Sequence, residues 1–129
     1  MRVMADTNVI ISSILNEGSV CDEILNDICE NHELILCDYI INESYDVANR
    51  KFPNKIYVLD KLYAKLGYEL IPAIRTGDIK INDIKDQPII NTAVEYDIDL
   101  LVSGDRHFLE LNIEKPTILS PINYKNTYL

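Results

Sequence analysis

Tryptophan is absent from the 129 residues, phenylalanine occurs twice, cysteine three times and glycine four times. With so little glycine there is no Gly/Ser linker, and no low-complexity tract or repeat period divides the chain, so residues 1–129 read as one domain. Cys21, Cys29 and Cys37 are odd in number, form no C-x-x-C pair and have no histidine at zinc-site spacing. That excludes a disulfide framework and a structural zinc site, and the three read as reduced, mostly buried apolar side chains. No apolar run approaches the roughly 18–20 residues of a membrane span. The opening Met1-Arg2-Val3-Met4-Ala5-Asp6 reaches an acid too early for a signal peptide. A soluble, cytoplasmic protein without membrane contact is therefore expected. Positive charge is also scarce: 12 Lys+Arg face 21 Asp+Glu, a net charge of -9. That balance argues against gripping nucleic acid by bulk electrostatics, because phosphate contacts come from Lys and Arg. Nucleic acid stays open as a substrate, since bound divalent cations reverse a local field.

Apolar residues, by contrast, make up 47% of the chain, ample for one core. They fall into short runs alternating with helical patterns. Val3-Met4-Ala5, Leu34-Ile35-Leu36-Cys37, Leu70-Ile71, Leu100-Leu101-Val102 and Thr117-Ile118-Leu119 read as strands. Between them, Val9 to Leu15 suggests a helical turn or helix. A second helix follows a Ser19 cap and carries Val20, Ile24, Leu25 and Ile28. A third runs from an Asp38 cap to about Lys51, with Ile41, Tyr45, Ala48 and Phe52 along one stripe. Residues 56–66 form a fourth, closed by Gly67. Pro88 opens a fifth through Tyr96, with Ile89, Ile90, Ala93 and Val94 inward, and 106–111 a short sixth. Residues 73–84 give no clear pattern. Continuous apolar strands separated by helices mean a parallel sheet covered on both faces, an α/β three-layer sandwich. In such sheets ligands bind beyond the carboxyl ends of the strands.

Two of the best strands run into an aspartate there, the first into Asp6 and the fourth, through Ser103-Gly104, into Asp105. Asp86 opens the helix before that fourth strand, and Glu43 lies at the border of its helix's apolar stripe while Asp46 points away. Each has an ordinary explanation as a cap, a turn residue or part of a solvated face. Together they suggest a site. Four converging carboxylates repel by about 4 kcal/mol per close pair at an effective dielectric near 20. Either some stay protonated or a cation is present, and an all-oxygen set suits Mg²⁺ or Mn²⁺. Two such ions balance four carboxylates and would clamp a phosphodiester for in-line hydrolysis.

At these residues the chain resembles the PIN domain, the metal-dependent nuclease fold of VapC-like toxins in type II toxin–antitoxin systems. Met4-Ala5-Asp6-Thr7-Asn8-Val9-Ile10-Ile11-Ser12 is similar to the opening strand and D-T-N-V motif of a PIN subfamily of toxin components. Asp86, Ile90 and Ala93, followed by Leu101-Val102-Ser103-Gly104-Asp105, are similar to its second half, where an acid, a helix and a strand lead to a T/S-G-D turn. The resemblance covers about residues 2–120 and is weakest from Lys51 to Asp83. It implies a five-stranded parallel sheet, metal-binding acids at Asp6, Glu43, Asp86 and Asp105, and support from Asn8 bonding to Asp6, the Ser103 hydroxyl and Asp83. It also implies Mg²⁺ or Mn²⁺ as cofactor, endoribonuclease activity on RNA, homodimers and inhibition by a cognate antitoxin.

Five of the 12 basic residues, Arg50, Lys51, Lys55, Lys61 and Lys65, lie close together. They read either as a solvated helical face or as a phosphate-gripping side of the cleft. His107 follows Asp105 and reads either as a proton donor or, in preference, as a surface or capping residue, and Tyr39, Tyr45, Tyr57, Tyr63 and Tyr68 read as core or interface. Two rival readings remain. A receiver- or phosphatase-like phosphoryl-transfer domain also places Asp at strand ends, but expects a second acid where Asn8 stands. A non-catalytic module would bind a cation for structure alone.

Overall fold

The computed structural model describes residues 1–129. Its strands are β1 (Arg2–Ala5), β2 (Glu33–Cys37), β3 (Tyr68–Ile71), β4 (Leu100–Val102) and β5 (Thr117–Leu119). All neighbours pair parallel, in the order β3-β2-β1-β4-β5. The helices are α1 (Thr7–Leu15), α2 (Val20–Asn31), α3 (Asp38–Lys51), α4 (Ile56–Lys65), α5 (Gln87–Glu95), α6 (Arg106–Leu109) and α7 (Pro121–Tyr128). The chain steps one way across the sheet from β1 to β3 and the other way from β4 to β5. Right-handed crossovers taken in opposite directions put helices on both faces, which completes the three-layer α/β sandwich. No helix is long and apolar enough to cross a membrane.

Burial follows from position in the sheet. Val3, Met4 and Ala5 of β1, Leu34 to Cys37 of β2 and all of β4 are buried, because helices cover both faces of the three inner strands. At the edges, Glu69, Leu70 and Thr117 are exposed. The buried apolar side chains form one cluster of 29 residues.

Several local readings change. Along α3 the buried positions are Ile40, Ser44 and Ala48, whereas Ile41, Tyr45 and Phe52 are half-buried. A serine occupies that stripe because its hydroxyl is satisfied internally, 2.6 Å from the Ile41 carbonyl and 2.6 Å from the Tyr63 hydroxyl. Asp38 is the first residue of α3 and not its cap; its carboxylate accepts from the Ala73 N–H at 2.9 Å. Helix α4 ends through an extended Leu66 without using Gly67, and the glycine at positive φ is Gly18, at 75°. Val94 is exposed. Helix α7 was not anticipated: Ser120 caps it, Pro121 opens it, and Tyr124 is buried with its hydroxyl donating to Asp27 at 2.7 Å.

Strand order reverses between β1 and β4, so the crevice at their carboxyl ends is the switch point where α/β sheets bind ligands. Register fixes what stands there. Ala5 pairs with Val102, and the ladder continues through Asp6 N–H to the Val102 carbonyl at 3.1 Å. That sets Asp6 beside Ser103.

Candidate functional site

The crevice is a cleft of ≈ 730 Å³. Asp6, Thr7 and Asn8 line its floor, Tyr39, Glu43 and Arg50 of α3 one wall, and Asp83, Lys85, Asp86 and Asp105 the other side. The four acids named from the sequence therefore meet in one space. Asp6 is 3% exposed; its Oδ1 accepts from the Val9 N–H at 3.0 Å and its Oδ2 from the Ser103 hydroxyl. The Ser103 oxygen in turn accepts from the Asp105 N–H at 3.0 Å, so one hydroxyl ties the ends of β1 and β4 together. Asp105 Oδ1 accepts from the His107 N–H at 2.8 Å. Glu43 reaches the floor by accepting from the Thr7 hydroxyl.

Caps and site coincide for two of these acids. Asp6 caps α1 and Asp105 caps α6, each through the carboxylate that also faces the cleft. Asp86 precedes α5 without capping it, and its Oδ2 is buried with no hydrogen-bond partner. Asp83 takes the capping role one turn earlier, accepting from the Lys85 N–H at 3.0 Å. Asn8 is exposed at the cleft and makes no bond to Asp6, contrary to expectation; Val9 and Ser103 hold that carboxylate instead. Asp46 was expected to point away, yet it lies along the cleft beyond Glu43. One helical turn separates them too little to take Asp46 out of the crevice.

The electrostatics match this crowding. Asp6 is pushed up from 3.8 to about 6, first by burial and then by Asp105 and Glu43, against the lowering bonds from Ser103 and Val9. Asp86 is pushed up to about 7 by burial and by repulsion from Asp105, Asp83 and Asp6. Negative charge is thus more than the protein groups compensate. Oxygen donors that crowd and repel are suited to Mg²⁺ or Mn²⁺, and the buried, unpartnered Asp86 Oδ2 is free to serve as one.

Of the five clustered basic residues, Arg50 lines the cleft and Lys51, Lys55, Lys61 and Lys65 do not. Lys61 instead stands 5.5 Å over the Tyr57 ring. Three contributors were missed or misread. Tyr39 donates to the Lys85 carbonyl at 2.6 Å, lies 3.5 Å from Glu43 Oε2 and carries Arg75 over its ring at 5.6 Å. Burial and Glu43 push its phenol up to about 12, so it stays a neutral donor. Lys85 adds a second basic residue to the cleft lining besides Arg50. His107, for which the sequence favours a surface or capping role over a proton donor, has Nδ1 3.4 Å from Asp105 Oδ1 and 3.7 Å from Asp86 Oδ2. Lys85 carries no local signal, because its contact with Tyr39 joins residues remote in sequence, and for Tyr39 the only local signal is its place one turn before Glu43 on α3. The only sequence hint for His107 is its nearness to Asp105 in the same short turn.

A parallel α/β sheet with an acidic cleft at its switch point is the class these observations define. Within it, residues 2–107 match the family model described as PIN domain, and the chain belongs to that family. The fold is also similar to a chain in the crystal structure of VapBC2 from Rickettsia felis bound to a DNA fragment from its promoter. The TM-score is 0.67 at 17% identity, over 93% of this chain and 98% of that one. No curated protein sequence matches the chain.

Proposed function

We propose that the protein is a metal-dependent endoribonuclease, the VapC-like toxin of a toxin–antitoxin pair, with Mg²⁺ or Mn²⁺ held by Asp6, Glu43, Asp86 and Asp105. The observation that carries this reading is the meeting of four carboxylates in one cleft, two of them pushed up to about 6 and about 7 by burial and mutual repulsion. When bound, the ions supply activation of water, polarisation of the phosphodiester and stabilisation of the departing oxygen. The chain's own groups fix positions. Ser103 and the Val9 N–H hold both oxygens of Asp6, and Thr7 holds Glu43, so little reorganisation is needed as charge develops. Arg50 and Lys85, the basic residues that line the cleft, would supply phosphate contacts to the substrate. The likeness to a VapBC2 chain and membership of the PIN family support an antitoxin partner. The homodimer, the cytoplasmic setting and the single catalytic domain belong to the same proposal; the first rests on the family resemblance and the other two on the reading of the sequence.

The test is RNA cleavage by the purified protein with Mn²⁺. Cleavage should stop with EDTA and fall by about 100-fold or more in Asp6→Asn, Glu43→Gln, Asp86→Asn or Asp105→Asn. Two such changes together should cost little more than one, because residues acting as a unit are non-additive. Asp46 lies too near the site to serve as control. Glu23→Gln, on α2 beside Lys125, should leave cleavage intact. A wild type that binds metal but cuts no RNA would favour a non-catalytic module.

A further inference from the structure

His107 enters the acid cluster from α6 with a donor that the all-oxygen reading does not use. Its backbone N–H is held by Asp105 Oδ1 at 2.8 Å, which fixes where the ring leaves the chain. Its Nδ1 and Asp86 Oδ2 are both buried without a hydrogen-bond partner, and they face each other across 3.7 Å, too far for a well-formed hydrogen bond. Asp83 belongs to the same group: Asp83, Asp86 and His107 can each offer one ligand atom with all three within 4.8 Å of one another. Donors about 2.1 Å from one cation stand roughly 3.0 Å apart at right angles, about 3.4 Å at the tetrahedral angle and at most about 4.2 Å when opposite. The 3.4 Å and 3.7 Å separations of His107 Nδ1 from Asp105 and Asp86 fall inside that range. A buried polar atom left unpaired costs about 1–3 kcal/mol. Two of them aimed at one space form a donor set.

We infer that His107 Nδ1 joins Asp86 and Asp105, beside Asp83, as a ligand of the divalent cation, giving the site a mixed nitrogen and oxygen set that selects Mn²⁺ and later first-row ions over Mg²⁺. The inference rests on the acidic-site reading above and decides between its two candidate ions. Mg²⁺ is a hard ion that takes oxygen and keeps its waters, whereas imidazole strengthens binding from Mn²⁺ onward. One nitrogen donor therefore separates ions that an all-carboxylate site would hold more nearly alike.

Pulsed EPR of the Mn²⁺-loaded protein reads nitrogen coupling directly and needs neither RNA nor a variant. Calorimetry then gives Mn²⁺ and Mg²⁺ affinities for the wild type and for His107→Asn, whose amide oxygen reaches the place of Nδ1. Nitrogen coupling in the wild type, with His107→Asn losing it and losing about tenfold or more in Mn²⁺ affinity but under about twofold for Mg²⁺, is the expected result. Mn²⁺ binding without nitrogen coupling, or equal losses for both ions, overturns the histidine assignment alone. Failure of the wild type to bind either ion overturns it together with the acidic-site reading. If His107→Asn does not fold, the wild-type spectrum still decides.

Discussion

Asp6 caps α1 and faces the cleft with the same carboxylate, so an asparagine there keeps the cap while removing the charge. Its folded value of about 6 lies above the ordinary 3.8. A group that holds its proton more tightly when folded contributes stability below its unfolded value and loses it as pH rises through the folded value. In EDTA the melting temperature should therefore fall from about pH 4 upward, steepest near about pH 5, where the folded and unfolded states differ most in bound protons; the part due to Asp6 ends near 6 and the part due to Asp86 near 7. Asp6→Asn should flatten the first part and raise the melting temperature near pH 7.5, by an amount corresponding to roughly 1–3 kcal/mol. With millimolar Mn²⁺ the order should invert, since a ligand that binds the native state stabilises it and the variant forfeits that gain. Thermal shift assays across pH check all three arms. A wild type whose melting in EDTA does not depend on pH over this range would mean that Asp6 is not a strained, uncompensated acid.

The segment between β3 and α5 delivers Asp83 and Asp86, and polar side chains of α5 hold it in addition to the packing of Ala73, Ile79 and Ile81 against the core. Gln87 donates to the Ile79 carbonyl at 2.6 Å and to Asn91 Oδ1 at 2.7 Å, and Thr92 accepts from the Ile74 N–H at 2.8 Å. A Cβ at Gly77 would lie 2.4 Å from Asn91 Oδ1, so the backbone passes there only without a side chain. Gly77→Ala should destabilise the protein by about 1–3 kcal/mol in chemical denaturation. Combined with Asn91→Ala it should cost less than the sum of the two by at least about 0.5 kcal/mol, because the second change removes the obstacle; strict additivity would dismiss the clash. This seam also explains what the sequence could not reveal. The inner strands were legible because continuous apolar runs such as Leu34 to Cys37 have one economical placement, and Asp6 and Asp105 were legible because they follow such runs directly. Residues 73–83 have no apolar period, since bonds from Gln87 and Thr92 hold them, so neither the path to Asp86 nor the nearness of Lys85 to Tyr39 could be read. Helix α7 escaped because Tyr124 is its single buried residue, too little for a stripe.

For the molecule as a whole, a net charge of -9 repels a polyanion everywhere except where bound cations or local basic groups reverse the field. Arg50 and Lys85 lie on the cleft, while Lys61 and Lys65 belong to a surface that does not open into it. Binding of a phosphorothioate single-stranded RNA, followed by anisotropy at fixed Mn²⁺ over a range of KCl, should therefore separate the two groups. Removing one cation that grips a phosphate should flatten the plot of log K against log salt by about 0.7 for a single strand, so Arg50→Gln with Lys85→Gln should remove roughly 1.4 of slope. Weakening should be similar for unrelated RNA sequences, because groups that grip phosphate carry no base information. Lys61→Gln with Lys65→Gln should leave the slope unchanged and lower affinity only slightly through net charge. EDTA should weaken binding in every variant, since the acids then face the phosphates without a counter-ion. If the Lys61 and Lys65 pair moves the slope and the Arg50 and Lys85 pair does not, RNA crosses the face of α4 and not the cleft, and the acids there have no phosphodiester to act on.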